Sequence, residues 1–185
     1  MLEITIPEKE YFDEKNSMFF TVPAAKIQLE HSLLSISKWE AKWHKSYFLK
    51  EKKTAEEIMD YIRCMTITQN VNPAVYNNLT ASNFQKILEY IEDPMTATTF
   101  NDPPGAGKKK QNHVYTSEEI YYWMLTYNIP FECQKWHIHR LLTLIRVCNI
   151  KSQDEKKMSK SERAAAMARR RELNASRRSA LNSRG

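Results

Sequence analysis

A chain of 185 residues with 42% hydrophobic and 11% aromatic side chains can close the core of one ordinary domain and carry an appendage, which excludes wholesale disorder. No run reaches the roughly 18 apolar residues of a membrane span, and Met1-Leu2-Glu3-Ile4-Thr5-Ile6 lacks the basic and apolar regions of a signal peptide, so a cytoplasm is the expected compartment. The net charge of +6 belongs to the end of the chain: residues 151–185 hold 11 basic and 4 acidic side chains, and residues 1–150 hold 17 and 18.

The first 31 residues alternate like strands. Leu2, Ile4 and Ile6 share one parity, then Met18, Phe20 and Val22, with Ile27 and Leu29 following, which predicts a small sheet or meander. From Ser37 the period changes to that of a helix. Ser37 with Glu40 has the spacing of a capping box, and Trp39 and Trp43 fall on one helical face. Thr54 and Glu57 repeat that spacing before Ile58, Met59, Ile62 and Met65, predicting a helix over about 54–66. Pro73 suits the first turn of a short helix. Phe84, Ile87, Leu88 and Ile91 then form a full helical set that should end near Asp93-Pro94.

Asp102-Pro103-Pro104-Gly105-Ala106-Gly107 and Lys108–Lys110 read as a basic loop, holding two of the chain's three glycines. Thr116 and Glu119 form another capping box, ahead of Ile120, Trp123, Met124 and Tyr127. After Asn128-Ile129-Pro130 a last body helix is expected over about Phe131–Cys148, with Ile138, Leu141, Leu142 and Ile145 inward and His139, Thr143 and Arg146 outward. The short connection makes these two helices a hairpin. Beyond a boundary at Lys151–Lys157, Ser159 and Glu162 cap an Ala/Arg-rich helix that has too few apolar groups to fold on burial alone. The expected architecture is mainly α: a helical body over 1–150 with a small N-terminal β-meander at about 1–31, and a basic helical extension over 151–185.

No catalytic constellation emerges, so an enzyme is not expected. Gly105-Ala106-Gly107-Lys108 lacks the earlier glycine and the following hydroxyl of a phosphate-binding loop, whose places Asp102 and Lys109 occupy. His137 and His139, two apart on a helix, would point about 200° apart and could not share an ion. Cys133 and His137 would share a face, which reads as a packed thiol beside a hydrogen-bonded imidazole because two ligands do not make a zinc site. Cys64, Cys133 and Cys148 are expected reduced and buried. No metal or cofactor is expected. In the tail, Lys156, Lys157, Lys160, Arg169, Arg170, Arg171, Arg177 and Arg178 could neutralise phosphates, but no aromatic residue accompanies them as a stacking platform. Nucleic acid is therefore disfavoured as the partner.

Several strings carry a family resemblance: Ser37-Lys38-Trp39-Glu40 with Trp43, Tyr61-Ile62-Arg63-Cys64-Met65-Thr66, Asp93-Pro94-Met95-Thr96-Ala97-Thr98, Ile120-Tyr121-Tyr122-Trp123-Met124, Ile129–His137, and Arg140–Ile150, followed by Lys156-Lys157-Met158. In this order, over about two-thirds of the chain, they resemble the tail assembly chaperones of long-tailed bacteriophages. The resemblance implies a non-enzymatic protein of the host bacterial cytoplasm that binds the helical tape measure protein while tail tube subunits polymerise around it. It also implies absence from the mature virion and a longer form of the chain made by programmed frameshift. Met59, Met65, Met95 and Met124 would offer adaptable surface to an apolar helix, although for any one of them core filling is the favoured role. Met124, Phe131, Trp136, Arg169, Arg170, Arg171, Arg177 and Arg178 are the candidate partner contacts. The alternatives are a structural head-to-tail component or a nucleic-acid-binding protein.

Overall fold

Four short strands open the chain: β1 (Leu2–Ile6), β2 (Lys9–Asp13), β3 (Met18–Val22) and β4 (Ala25–Leu29). The N-terminal sheet is a nested ribbon, with β1 paired to β4 and β2 to β3, both antiparallel. Leu2 faces Leu29, Ile6 faces Ala25, Lys9 faces Val22 and Asp13 faces Met18, so one register runs through both ladders. Pro7 and Pro23 stand at the interruption, where each withholds the N–H that a continuous ladder needs. The β1–β4 half enters the core through Ile4, Ile6, Ile27 and Leu29, joined from β3 by Val22 at its end.

The helices follow as α1 (Leu33–Trp43), α2 (Ala55–Met65), a 3-10 helix (Pro73–Asn78), α3 (Ala81–Glu92), α4 (Ser117–Thr126), a second 3-10 helix (Phe131–Lys135), α5 (Ile138–Lys157) and α6 (Lys160–Ala180). In this computed structural model the described residues are 1–100, 114–157 and 160–180. The basic loop expected at Asp102–Lys110 and the cap expected at Ser159 lie outside them. Two compact units divide the chain, Met1–Ile145 and Arg146–Gly185. The division falls within α5, whereas the composition changes after Ile150. In α6 the described side chains, including Arg169, Arg170 and Arg171, are exposed.

Capping explains most helix starts. The Thr54–Glu57 box is formed as expected, with both halves bonded, and at Thr116–Glu119 the Thr116 N–H donates to Glu119 Oε2 at 3.2 Å. Pro73 opens its 3-10 helix at the expected place. Asn83 completes a further box with Thr80, in which an amide does the work of the usual Glu or Gln.

Three expectations require correction. Ser37 does not start α1: the cap is Ser32, whose Oγ accepts from the Ser35 N–H at 3.2 Å. Glu40 is instead a buried tie, accepting from Tyr47 N at 2.8 Å and Ser117 N at 2.7 Å. The last body helix starts at Ile138 rather than Phe131, because Trp136 closes the 3-10 helix and His137 bridges to Ser32 in extended conformation. The Ile138 N–H then donates to His31 O at 2.7 Å. Finally, α4 finds its main neighbour in α1 instead of forming a simple hairpin with α5.

Within α5, Ile138, Leu141 and Ile145 are buried while Leu142 is only half-buried. Leu141→Ala should therefore lose about 2–5 kcal/mol through a cavity, and Leu142→Ala clearly less. Urea titrations of the two variants check this ordering.

Candidate functional site

α2 is anchored on one flank and open on the other. Its anchored flank meets α1, where the Trp39 indole N–H donates to Glu57 O at 2.9 Å and the Trp43 indole N–H to Asp60 Oδ2 at 3.0 Å. Lys42 pairs with Asp60 at 2.5 Å and Lys45 with Glu57. The Lys45 bond, reinforced by the Thr54 N–H, holds the Glu57 carboxyl below its ordinary range. Burial works against ionisation of Asp60, but its bonds from Lys42 and Trp43 outweigh that and lower its pKa too.

The open flank carries Ile58 and Met59, and across from it stand Phe84, Leu88 and Ile91 of α3. Because α2 packs on α1 and α3 packs on β1, these flanks face one another over an apolar groove of about 600 Å³. Ile62 and Ile87 form its buried floor, while Ile58 and Leu88 are 42% and 53% exposed on its walls. Tyr47, Glu51 and Lys53 also line it. Lys53 Nζ donates to Tyr47 O at 2.8 Å and lies 4.4 Å from the Tyr47 ring centroid. Burial draws the Lys53 pKa down and pushes the Tyr47 phenol up to about 12. Such a volume admits several apolar side chains, and the lining offers no paired nucleophile and base. The groove suits binding, in the manner of an apolar helix face laid between two helices.

A second cluster stands apart from the groove. The ring centroids of His31, His137 and His139 lie 5.0, 5.3 and 5.9 Å from one another. Because His137 precedes α5, the helical argument that separated it from His139 does not apply. Nor does His137 share a helix with Cys133, which is buried in the preceding 3-10 helix. The imidazoles are engaged elsewhere: His31 Nδ1 bonds the Tyr61 hydroxyl, His137 Nε2 the Tyr90 carbonyl at 3.0 Å and His139 Nδ1 the Asp93 carbonyl at 2.9 Å. His137 Nδ1 is buried without a partner. Among the described residues no three His, Cys, Asp or Glu side chains converge as metal ligands.

The candidate contacts read from the sequence are dispersed. Met124 is wholly buried in the core and is corrected to a packing residue; Met65, also wholly buried, fills the core. Phe131 is 50% exposed, with its ring 6.3 Å from Tyr121. Trp136 is half-buried and lies 4.3 Å from the Arg140 guanidinium. Arg169, Arg170 and Arg171 are exposed on α6, whereas Arg177 and Arg178 fall where its side chains lie outside the described residues. Of the methionines, Met59 reaches the groove. Cys64 and Cys148 are half-buried rather than buried, and all three cysteines are free thiols.

The helical periodicity of the apolar stripes on α2 and α3 does not by itself mark the groove. Its signal was the width of those stripes: Asn83, Ile87 and Tyr90 already cover the buried side of α3, leaving Phe84, Leu88 and Ile91 as a surplus. No helix among the described residues is long and apolar enough to cross a membrane. Comparison of the chain with protein-family models, curated proteins and solved structures finds no match in any of the three.

Proposed function

We propose that this protein is a non-enzymatic tail assembly chaperone that receives an apolar helical segment of a tape measure protein in the groove between α2 and α3. The observation that carries the reading is the pair of apolar flanks left open to solvent, Ile58 and Met59 against Phe84, Leu88 and Ile91, above the buried Ile62 and Ile87. The family resemblance of the sequence supplies the partner. A long helix awaiting its tube subunits has an apolar face that must be shielded, and a groove containing a thioether can adapt to a degenerate series of such faces. The basic extension adds long-range attraction for acidic partner surfaces. On this reading the protein works in the host cytoplasm, alongside tail tube protein and a longer frameshifted form, and leaves before the particle is complete.

Co-expression tests it. Tape measure fragments should gain soluble yield with the parent chain and lose most of that gain with Leu88→Asp, whose exposed site leaves the fold intact. Fragments equally soluble alone, or equally rescued by Leu88→Asp, would defeat the proposal. Fixed copy number in purified particles would mark a structural component instead.

A further inference from the structure

Lys53 brings a positive charge to a groove lined mostly by apolar side chains. It stands two residues before Ala55, where α2 begins, and lines the groove together with Tyr47. An ammonium has three protons to donate. One goes to Tyr47 O at 2.8 Å, and Nζ otherwise rests near ring faces, 4.4 Å from the Tyr47 centroid and 5.7 Å from that of Trp39. Two other lysines of this region are better matched, Lys42 with Asp60 and Lys45 with Glu57. Among the described residues no carboxylate forms an ion pair with Lys53.

Two carboxylates come near without filling that role. Glu57 attracts the ammonium through space, but its oxygens are taken by Lys45 and the Thr54 N–H. Glu51 also lines the groove, yet it is exposed, so water screens its charge. Lys53 itself is half-buried, and burial is what chiefly opposes its protonation, with Lys45 acting in the same direction. An incoming anion would therefore meet a cation already stripped of part of its water, which lowers what the pair loses on forming.

We propose that the groove selects an apolar helix that carries an acidic side chain next to its apolar face, and that Lys53 is the group that reads it. The inference rests on the α2–α3 groove being the binding site. Between Ala55 and Ile62 the lining follows α2 for about two turns. Two turns of the partner's apolar stripe are then covered, and the acid falls one turn beyond them, over the start of α2. Apolar contacts alone accept any hydrophobic segment of suitable width. A charge that has to be matched adds discrimination: glutamine at that position leaves Lys53 without an anion, and lysine or arginine sets like charges against each other. Aspartate and glutamate are the side chains that gain.

Designed helical peptides test this by fluorescence anisotropy with the full chain. Each has an apolar stripe of two turns and, one turn beyond it, a single position that is Glu, Gln or Lys in otherwise identical sequences. Two sets place that position at opposite ends of the stripe, so that either helix direction is sampled. In one set the parent should bind the Glu peptide about tenfold more tightly than the Gln peptide, and the Lys peptide more weakly still, with the preference shrinking as salt is added. Lys53→Met keeps the aliphatic stem and should abolish the preference while leaving the affinity for the Gln peptide nearly unchanged. Lys53→Glu should reverse the order in favour of the Lys peptide, which a loss of packing could not do. Circular dichroism checks that both variants fold; should either not, the parent's ranking of the three peptides and its salt dependence decide. Equal affinity for all three in both sets, or a Glu preference that survives Lys53→Met, would overturn the acid selection. The groove reading would then still stand if Leu88→Asp weakens every peptide alike, whereas peptides indifferent to Leu88→Asp would bring down that reading and this inference together.

Discussion

Lowering the pH from 7 to 5 should destabilise the Met1–Ile145 unit by about 2 kcal/mol. The cause is His31, enclosed by Tyr47, Tyr61, His137 and His139. Burial pushes its pKa down to about 3, with the adjacent His137 and His139 acting in the same direction. Burial also lowers His137, partly offset by its bond to Tyr90 O and by the negative charges of Glu30 and Asp93.

In the unfolded chain these imidazoles titrate near 6.5. Above that pH neither state is protonated and the full stability is present. As the pH falls from 6.5 towards 3, the unfolded chain takes up a proton that the folded one refuses. Stability declines throughout that window, by roughly 4 kcal/mol for His31 alone. His31→Gln retains a polar partner for Tyr61 and removes the titration, so it should flatten the loss between pH 7 and 5. Urea unfolding of parent and variant at the two pH values measures this; equal slopes would remove His31 as the cause.

Glu40→Ala should be among the most damaging single changes in the body, at about 3 kcal/mol. The carboxylate spans two distant segments, one oxygen accepting from Tyr47 N and the other from Ser117 N. Its removal leaves two backbone donors in poorly hydrated surroundings and frees the first residue of α4 from α1. Glu40→Gln keeps one carbonyl acceptor and should lose about half as much. A shift of the denaturation midpoint in that order, without a change of slope, is the expected result. Equal stability of Glu40→Ala and the parent would show that water satisfies both donors.

What could be read without coordinates is what neighbouring residues decide among themselves. The Thr54–Glu57 box, the Pro73 turn, the end of α3 near Asp93 and the inward positions Ile120, Ile138 and Leu141 all follow from hydrogen bonds and side-chain periodicity within a turn or two. The sharp change of charge after Ile150 needs only composition. Tertiary structure decided whatever depends on a partner remote in the chain. Ser37 and Glu40 have capping spacing, yet Ser32 is the cap, since the β4 connection and His137 fix where α1 begins. His137 and His139 meet because the bridge to Ser32 holds His137 outside α5, and His31, more than a hundred residues earlier in the sequence, completes their cluster. The width of an apolar stripe also cannot say which part of it is covered. α2 has α1 on one flank and α3 has β1, so Ile58 and Leu88 are left facing an open groove: burial is a property of the pair of surfaces, and periodicity describes only one of them.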